Sequence, residues 1–102
     1  MNSAPIPSEA RPRLSSRARL QTDRVTGKPV LLYPEGALFL NPTGYSIVQL
    51  CQGESTCEQM VAALAIRYQV PAQQISTEVS AFLDRLRTLN LLDLQVPSGS
   101  KP

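Results

Sequence analysis

Two hydrophobic periods divide this chain. From Leu14 to Asp23, Leu14, Ala18, Leu20 and Thr22 share one parity and Arg17, Arg19 and Gln21 take the other, which predicts a strand with one wet face. Thr26-Gly27-Lys28 supplies turn chemistry. Pro29-Val30-Leu31-Leu32-Tyr33 reads as a second strand and Ala37-Leu38-Phe39-Leu40 as a third. Between them Pro34-Glu35-Gly36 turns the chain, with proline fixing φ early and glycine free to take a positive φ.

After Leu40 the period lengthens to about 3.6 residues. Asn41 is a cap for a helix whose first position is Pro42, where a missing N–H costs nothing. This first helix is expected from Pro42 to about Cys51, with Ile47, Val48 and Leu50 toward the core, and Gly53 ends it. Ser55-Thr56-Cys57-Glu58 reads as a capping box. The second helix then carries Cys57, Met60, Val61, Leu64, Ala65 and Tyr68 on one stripe. Pro71 starts a third helix, with Ile75, Val79, Phe82, Leu83, Leu86 and Leu89 on its stripe. Asn90 takes the left-handed position after it, Leu91 folds back onto the last turn, and Leu92 to Val96 reads as a short extended tail.

Strands followed by helices predict an α+β domain: a three-stranded antiparallel β-meander and three α-helices, like a winged helix-turn-helix, with the sheet packed on helix three. The expected organisation is a flexible Pro-rich arm over residues 1–13, one domain over 14–96 and a flexible tail over 97–102.

Composition narrows the function. The chain has 102 residues, enough for one domain, and no apolar run of membrane-spanning length. Its N-terminus lacks the apolar core of a signal peptide, which points to the cytoplasm. Cys51 and Cys57 do not form CxxC and read as two buried thiols acting as small hydrophobes. The chain has no histidine, so acid–base chemistry would fall to other groups. Its carboxylates, Glu54, Glu58, Glu78, Asp84 and Asp93 among them, sit at caps or on polar helix faces. Cys57 has no base partner, and there is no Walker loop or GxGxxG. No catalytic, cofactor or metal site is expected.

The net charge of +2 is unevenly placed: residues 1–24 hold five arginines against Glu9 and Asp23, a net +3, and the remainder holds five bases against six acids, a net −1. A winged helix-turn-helix DNA-binding protein is the alternative reading. Against it, helix three sets Arg85 and Arg87 against Glu78 and Asp84, so no basic recognition helix is present. The N-terminal arginines would supply only non-specific, salt-sensitive affinity, and no nucleic-acid partner is expected.

The unusual feature is the sheet. Strands two and three are apolar on both faces, where a sheet covered on one side should alternate. Strand three would lie at an edge, without Lys, Pro or charge from Gly36 to Leu40. An open apolar edge beside an amphipathic helix suits strand addition by a peptide. The chain's own helices, a second copy or a partner are the three covers such an edge admits, so monomer and homodimer both stay open.

The runs Arg19-Leu20-Gln21-Thr22-Asp23, Leu31-Leu32-Tyr33-Pro34-Glu35-Gly36, Leu40-Asn41-Pro42-Thr43-Gly44 and Leu50-Cys51-Gln52-Gly53 resemble the coenzyme PQQ synthesis protein D family. The later pattern of Ile75 to Val79, Phe82-Leu83, Leu86 and Leu91-Leu92 continues the likeness, which covers about residues 12–94. Gly44 stands where the family would have Ala, and Asn90 where it would have Gly. The resemblance implies a non-catalytic carrier in pyrroloquinoline quinone (PQQ) biosynthesis, without a cofactor of its own. It would bind the Glu- and Tyr-containing PQQ precursor peptide and present it to the radical S-adenosylmethionine (SAM) enzyme that links Glu to Tyr. The implied contact surface is Ala37, Leu38, Phe39 and Leu40 from strand three with Val79, Phe82, Leu83 and Leu86 from helix three.

Overall fold

A computed structural model describes residues 6–95. In chain order the elements are β1 (Arg11–Leu14), β2 (Arg19–Thr22), β3 (Pro29–Tyr33), β4 (Gly36–Phe39), α1 (Pro42–Leu50), α2 (Cys57–Tyr68), α3 (Ala72–Thr88) and β5 (Leu92–Gln95). The expected meander is β2-β3-β4, antiparallel throughout, and a second, two-stranded sheet pairs β1 with β5. The α+β, winged-helix-like expectation holds, with the short β1–β5 sheet added to it.

The single strand expected from Leu14 to Asp23 is two strands. Ser15 and Ala18 close a turn between them, the Ala18 N–H donating to the Ser15 carbonyl at 3.1 Å. Alternation across that turn imitates one continuous strand, because a four-residue turn preserves parity.

The boundary expected at residue 13 also moves. Ala10 and Pro12 are wholly buried, and Arg11–Leu14 pairs with Leu92–Gln95. The Ala10 and Ser8 carbonyls accept the N–H groups of Cys57 (2.9 Å) and Glu58 (3.0 Å). Residues 8–10 therefore satisfy two donors that the start of α2 leaves without intrahelical partners. The Gly53 N–H donates to the Pro12 carbonyl at 2.9 Å. Residues 1–5 of the expected arm and the expected tail over 97–102 lie outside the described residues.

The hairpin turns follow side-chain chemistry. Asp23 Oδ2 accepts from the Thr26 N–H (2.9 Å) and hydroxyl (2.8 Å), and Gly27 takes φ +74°. Those two donors hold the Asp23 carboxyl below its ordinary pKa. At the next turn Tyr33 pairs with Gly36 across Pro34-Glu35. Gly36 does not use the positive φ expected of it; it is the first residue of β4, with the Tyr33 ring beside it.

Helix ends carry the expected caps with one shift. Asn41 Oδ1 accepts from the Gly44 N–H at 2.7 Å, and Pro42 stands at the first position of α1. The capping box before α2 pairs Thr56 with Gln59, one residue later than Ser55 with Glu58. Cys57, the first residue of α2, is also its first buried position. After α3, Asn90 has φ +64°, its N–H bonds the Arg87 carbonyl and Leu91 N–H bonds the Leu86 carbonyl, both at 2.9 Å. This is the paired closure of a Schellman motif. Gln69 closes α2 in the same way at φ +56°.

The core lies between the inner face of β2-β3-β4 and the three helices. Leu31, Ile47, Met60, Leu64, Val79, Leu83, Leu86 and Leu91 are almost wholly buried there. Cys51 and Cys57 are free and buried, as expected. Burial pushes the Cys51 thiol up to about 12, with Cys57 adding to it, and raises Cys57 as well. Buried Ser46 links α1 to α2: its Oγ lies 2.7 Å from Tyr68 Oη, which reaches the Pro42 carbonyl at 3.2 Å.

Candidate functional site

Register decides which backbone groups β4 leaves open. The Leu40 N–H donates to the Pro29 carbonyl at 3.1 Å, and Leu38 stands opposite Leu31. In an antiparallel pair hydrogen-bonded positions alternate. Gly36, Leu38 and Leu40 therefore turn their N–H groups toward β3, and Ala37 and Phe39 turn theirs to the outer edge. The β2 side agrees: the Asp23 N–H donates to Lys28, so Val30 and Leu32 face β2 and Leu31 and Tyr33 face β4. β4 is an edge strand, and no charge interrupts it.

The same register sorts the side chains. Leu20, Leu31 and Leu38 form a cross-strand row on the core face. Gln21, Val30 and Phe39 form a row on the other face, beside Arg19, Leu32 and Ala37. The sheet that read as apolar on both faces is therefore covered on one and only partly covered on the other, where Val30 is 5% exposed and Phe39 remains 62% exposed.

The eight residues expected to meet a peptide do not share one surface. Leu40, Val79, Leu83 and Leu86 are 6% exposed or less and belong to the core. They occupy the centre of the α3 stripe and the sheet's inner face, so their apolar side chains serve folding. Ala37 and Phe39 are exposed, and Leu38 and Phe82 are half-buried. Leu89 shares the flank of α3 with Phe82 and is also half-buried, a position the earlier residue set left out.

Two ties bracket β4, one joining the segment after it to α3 and the other joining the turn before it to Asn90 beyond α3. Where β4 passes into α1, the Phe82 ring packs on Gly44, and Asn41, Gly44, Glu78, Phe82 and Arg85 line a groove of about 420 Å³. Where β4 begins, Glu35 in the preceding turn receives Arg17 Nη2 at 2.7 and 3.0 Å, and Arg17 Nη1 donates to the Asn90 carbonyl at 3.3 Å. The first turn of α1, just after the strand, thus meets the middle of α3, and the turn just before the strand is tied through Arg17 to Asn90, beyond the end of α3. Sequence patterning missed Arg17 and Glu35 because neither lies on an apolar stripe.

Among the described residues no cluster of three His, Cys, Asp or Glu side chains is placed to hold a metal ion. No described helix is long and apolar enough to cross a membrane. With both thiols pushed up by burial, the arrangement offers backbone hydrogen bonds and apolar contact rather than a nucleophile.

Comparison with known proteins bears on the family and the fold. The family model for coenzyme PQQ synthesis protein D matches residues 29–92, from β3 to the start of β5. The chain belongs to the coenzyme PQQ synthesis protein D family. A PqqA binding protein of Rhizobium meliloti (strain 1021) is 30% identical over 82 residues, 80% of this chain and 84% of that one. Another, of Xanthomonas axonopodis pv. citri (strain 306), is 33% identical over 89 residues, 87% of this chain and 97% of its own length. Among solved structures, the solution structure of the PqqD truncation of Methylobacterium extorquens PqqCD superposes with a TM-score of 0.71. It has 29% identity and covers 84% of this chain and 90% of that one. That family member is described as a functional, stand-alone recognition element for ribosomally synthesized and post-translationally modified peptides.

Proposed function

We propose that this chain is a non-catalytic carrier of PQQ biosynthesis that binds the PQQ precursor peptide as an added strand on β4. It then presents the peptide to the radical SAM enzyme of the pathway, working in the cytosol, in keeping with its two free thiols. The observation that carries this reading is the free edge of β4. Ala37 and Phe39 turn N–H and C=O groups that have no partner among the described residues outward, on a strand with no blocking charge or proline. The half-buried side chains of Leu38, Phe82 and Leu89 would take the peptide's apolar residues, with Arg85 at the rim. The names of the relatives support peptide binding. DNA binding gains no support, since α3 balances Arg85 and Arg87 against Glu78 and Asp84.

The test is an amide-shift titration of isotope-labelled protein with the precursor peptide. The Ala37 and Phe39 amides should shift most and become protected from hydrogen exchange. Shifts confined to α2 and the β1–β5 sheet would place the peptide elsewhere and end the strand-addition reading.

A further inference from the structure

The turn between β1 and β2 is built to aim one side chain. The Ser15 N–H donates to the Leu91 carbonyl at 2.8 Å, which fastens the turn to the chain just beyond α3. Ser15 Oγ accepts the Arg17 N–H at 3.1 Å, which fixes the backbone at Arg17. From there the guanidinium divides its donors. Nη2 serves both carboxylate oxygens of Glu35, and Nη1 serves the Asn90 carbonyl.

We propose that Arg17 is a positioning residue for the peptide edge. By bridging Glu35 to Asn90 it sets the separation of β4 and α3 that an added strand has to match. This rests on the strand-addition reading above and concerns how that site is held. An added strand must sit about 4.7–4.9 Å from its neighbour to bond with it, so the opening between edge and helix tolerates little error. At the far end of β4, Phe82 and Gly44 meet through apolar packing, which is non-directional. The Arg17 bridge is directional, because two different nitrogens of a rigid planar group serve two acceptors. Its contribution to folding is small: the Arg17 and Glu35 side chains are 38% and 64% exposed, and exposed pairs stabilise little. Geometry and stability are therefore separable by experiment.

The experiment uses the full chain and the variants Arg17→Met, Arg17→Lys, Glu35→Gln and the exchanged pair Arg17→Glu with Glu35→Arg. Residual dipolar couplings report the orientation of the β3–β4 hairpin relative to α3, calorimetry reports affinity for the precursor peptide, and urea unfolding reports stability. Arg17→Met and Glu35→Gln should reorient the hairpin, leave the unfolding midpoint in place and weaken peptide binding about two- to fivefold, the range of an exposed charged contact. Arg17→Lys keeps the charge but cannot span both acceptors, so it should fall between. The exchanged pair should recover part of the lost affinity. An unchanged hairpin orientation in Arg17→Met, with normal peptide binding by the wild type, overturns the proposal alone. Reorientation without any loss of affinity overturns it too. Wild-type protein that fails to bind the peptide overturns the strand-addition reading, and with it this role for Arg17.

Discussion

The ring of Phe82 lies against the space that a side chain on Gly44 would occupy. A β-carbon there would stand 3.2 Å from Phe82 Cε1 and 3.1 Å from Asn41 Oδ1. Glycine in this helix therefore has a packing reason that offsets its conformational cost: it lets α3 approach the first turn of α1.

The two positions should be energetically coupled. With Phe82 present, Gly44→Ala gains helix propensity and loses it again to crowding, so its stability should change little. In a Phe82→Leu background the crowding by the ring is relieved and only the Asn41 contact remains, so the same change should stabilise more than it does beside Phe82, by at most about 0.5–1 kcal/mol. Urea unfolding of the four proteins in a double-mutant cycle measures this difference. Equal effects of Gly44→Ala in both backgrounds would remove the coupling.

Proline on β4 should act differently at neighbouring positions. The Phe39 N–H points outward, so Phe39→Pro should leave the fold intact and weaken the precursor peptide at least about tenfold, the cost of one unmet backbone bond. The Leu38 N–H points to β3, so Leu38→Pro should lower stability by about 1–3 kcal/mol. Circular dichroism with urea unfolding and calorimetric titration separate the two outcomes. The reverse pattern would mean that the register places the opposite groups on the edge.

Removal of residues 1–10 should destabilise the domain although a Pro-rich, polar sequence reads as dispensable. Two N–H groups at the start of α2 would lose the Ser8 and Ala10 carbonyls, and the site filled by Ala10 would open. The expected loss is about 1–3 kcal/mol from the hydrogen bonds. Unfolding of truncated and full-length protein checks it, and an unchanged midpoint would show that these contacts contribute nothing.

Alkaline pH should weaken the fold through Cys51. Its thiol is pushed from 9.0 to about 12 in the folded state, chiefly by burial. Between those values the unfolded chain has lost a proton that the folded chain keeps. The stabilisation is fully present below pH 9.0 and falls as pH rises toward 12. Urea midpoints measured upward from pH 8 should decline less in Cys51→Ala than in the wild type. In the native state at pH 8, a thiol reagent should label neither cysteine quickly, and both should react once urea is added.

Local chemistry determined much of this protein from sequence alone. Short apolar runs between turn residues marked β3 and β4, the 3.6-residue stripe marked α2 and α3, and Asn41, Pro42 and Asn90 set helix ends, because each signal acts within a few residues. The charge-free run through β4 was legible as an edge, and the later comparisons agree with the family likeness. Only the tertiary structure decided the rest. The β1–β5 sheet joins residues about eighty positions apart, and no local pattern can announce a partner that distant. Apolar periodicity cannot say which side of a stripe meets solvent, so Val79, Leu83 and Leu86 looked no different from Phe82 until packing buried them. Outward hydrogen-bonding parity at Ala37 and Phe39 depends on how β4 registers with β3, and a shift by one residue would invert it. The Arg17 bridge arises because a turn near the N-terminus is carried to the exit of α3, where its guanidinium meets an acid and a carbonyl that the sequence holds far apart.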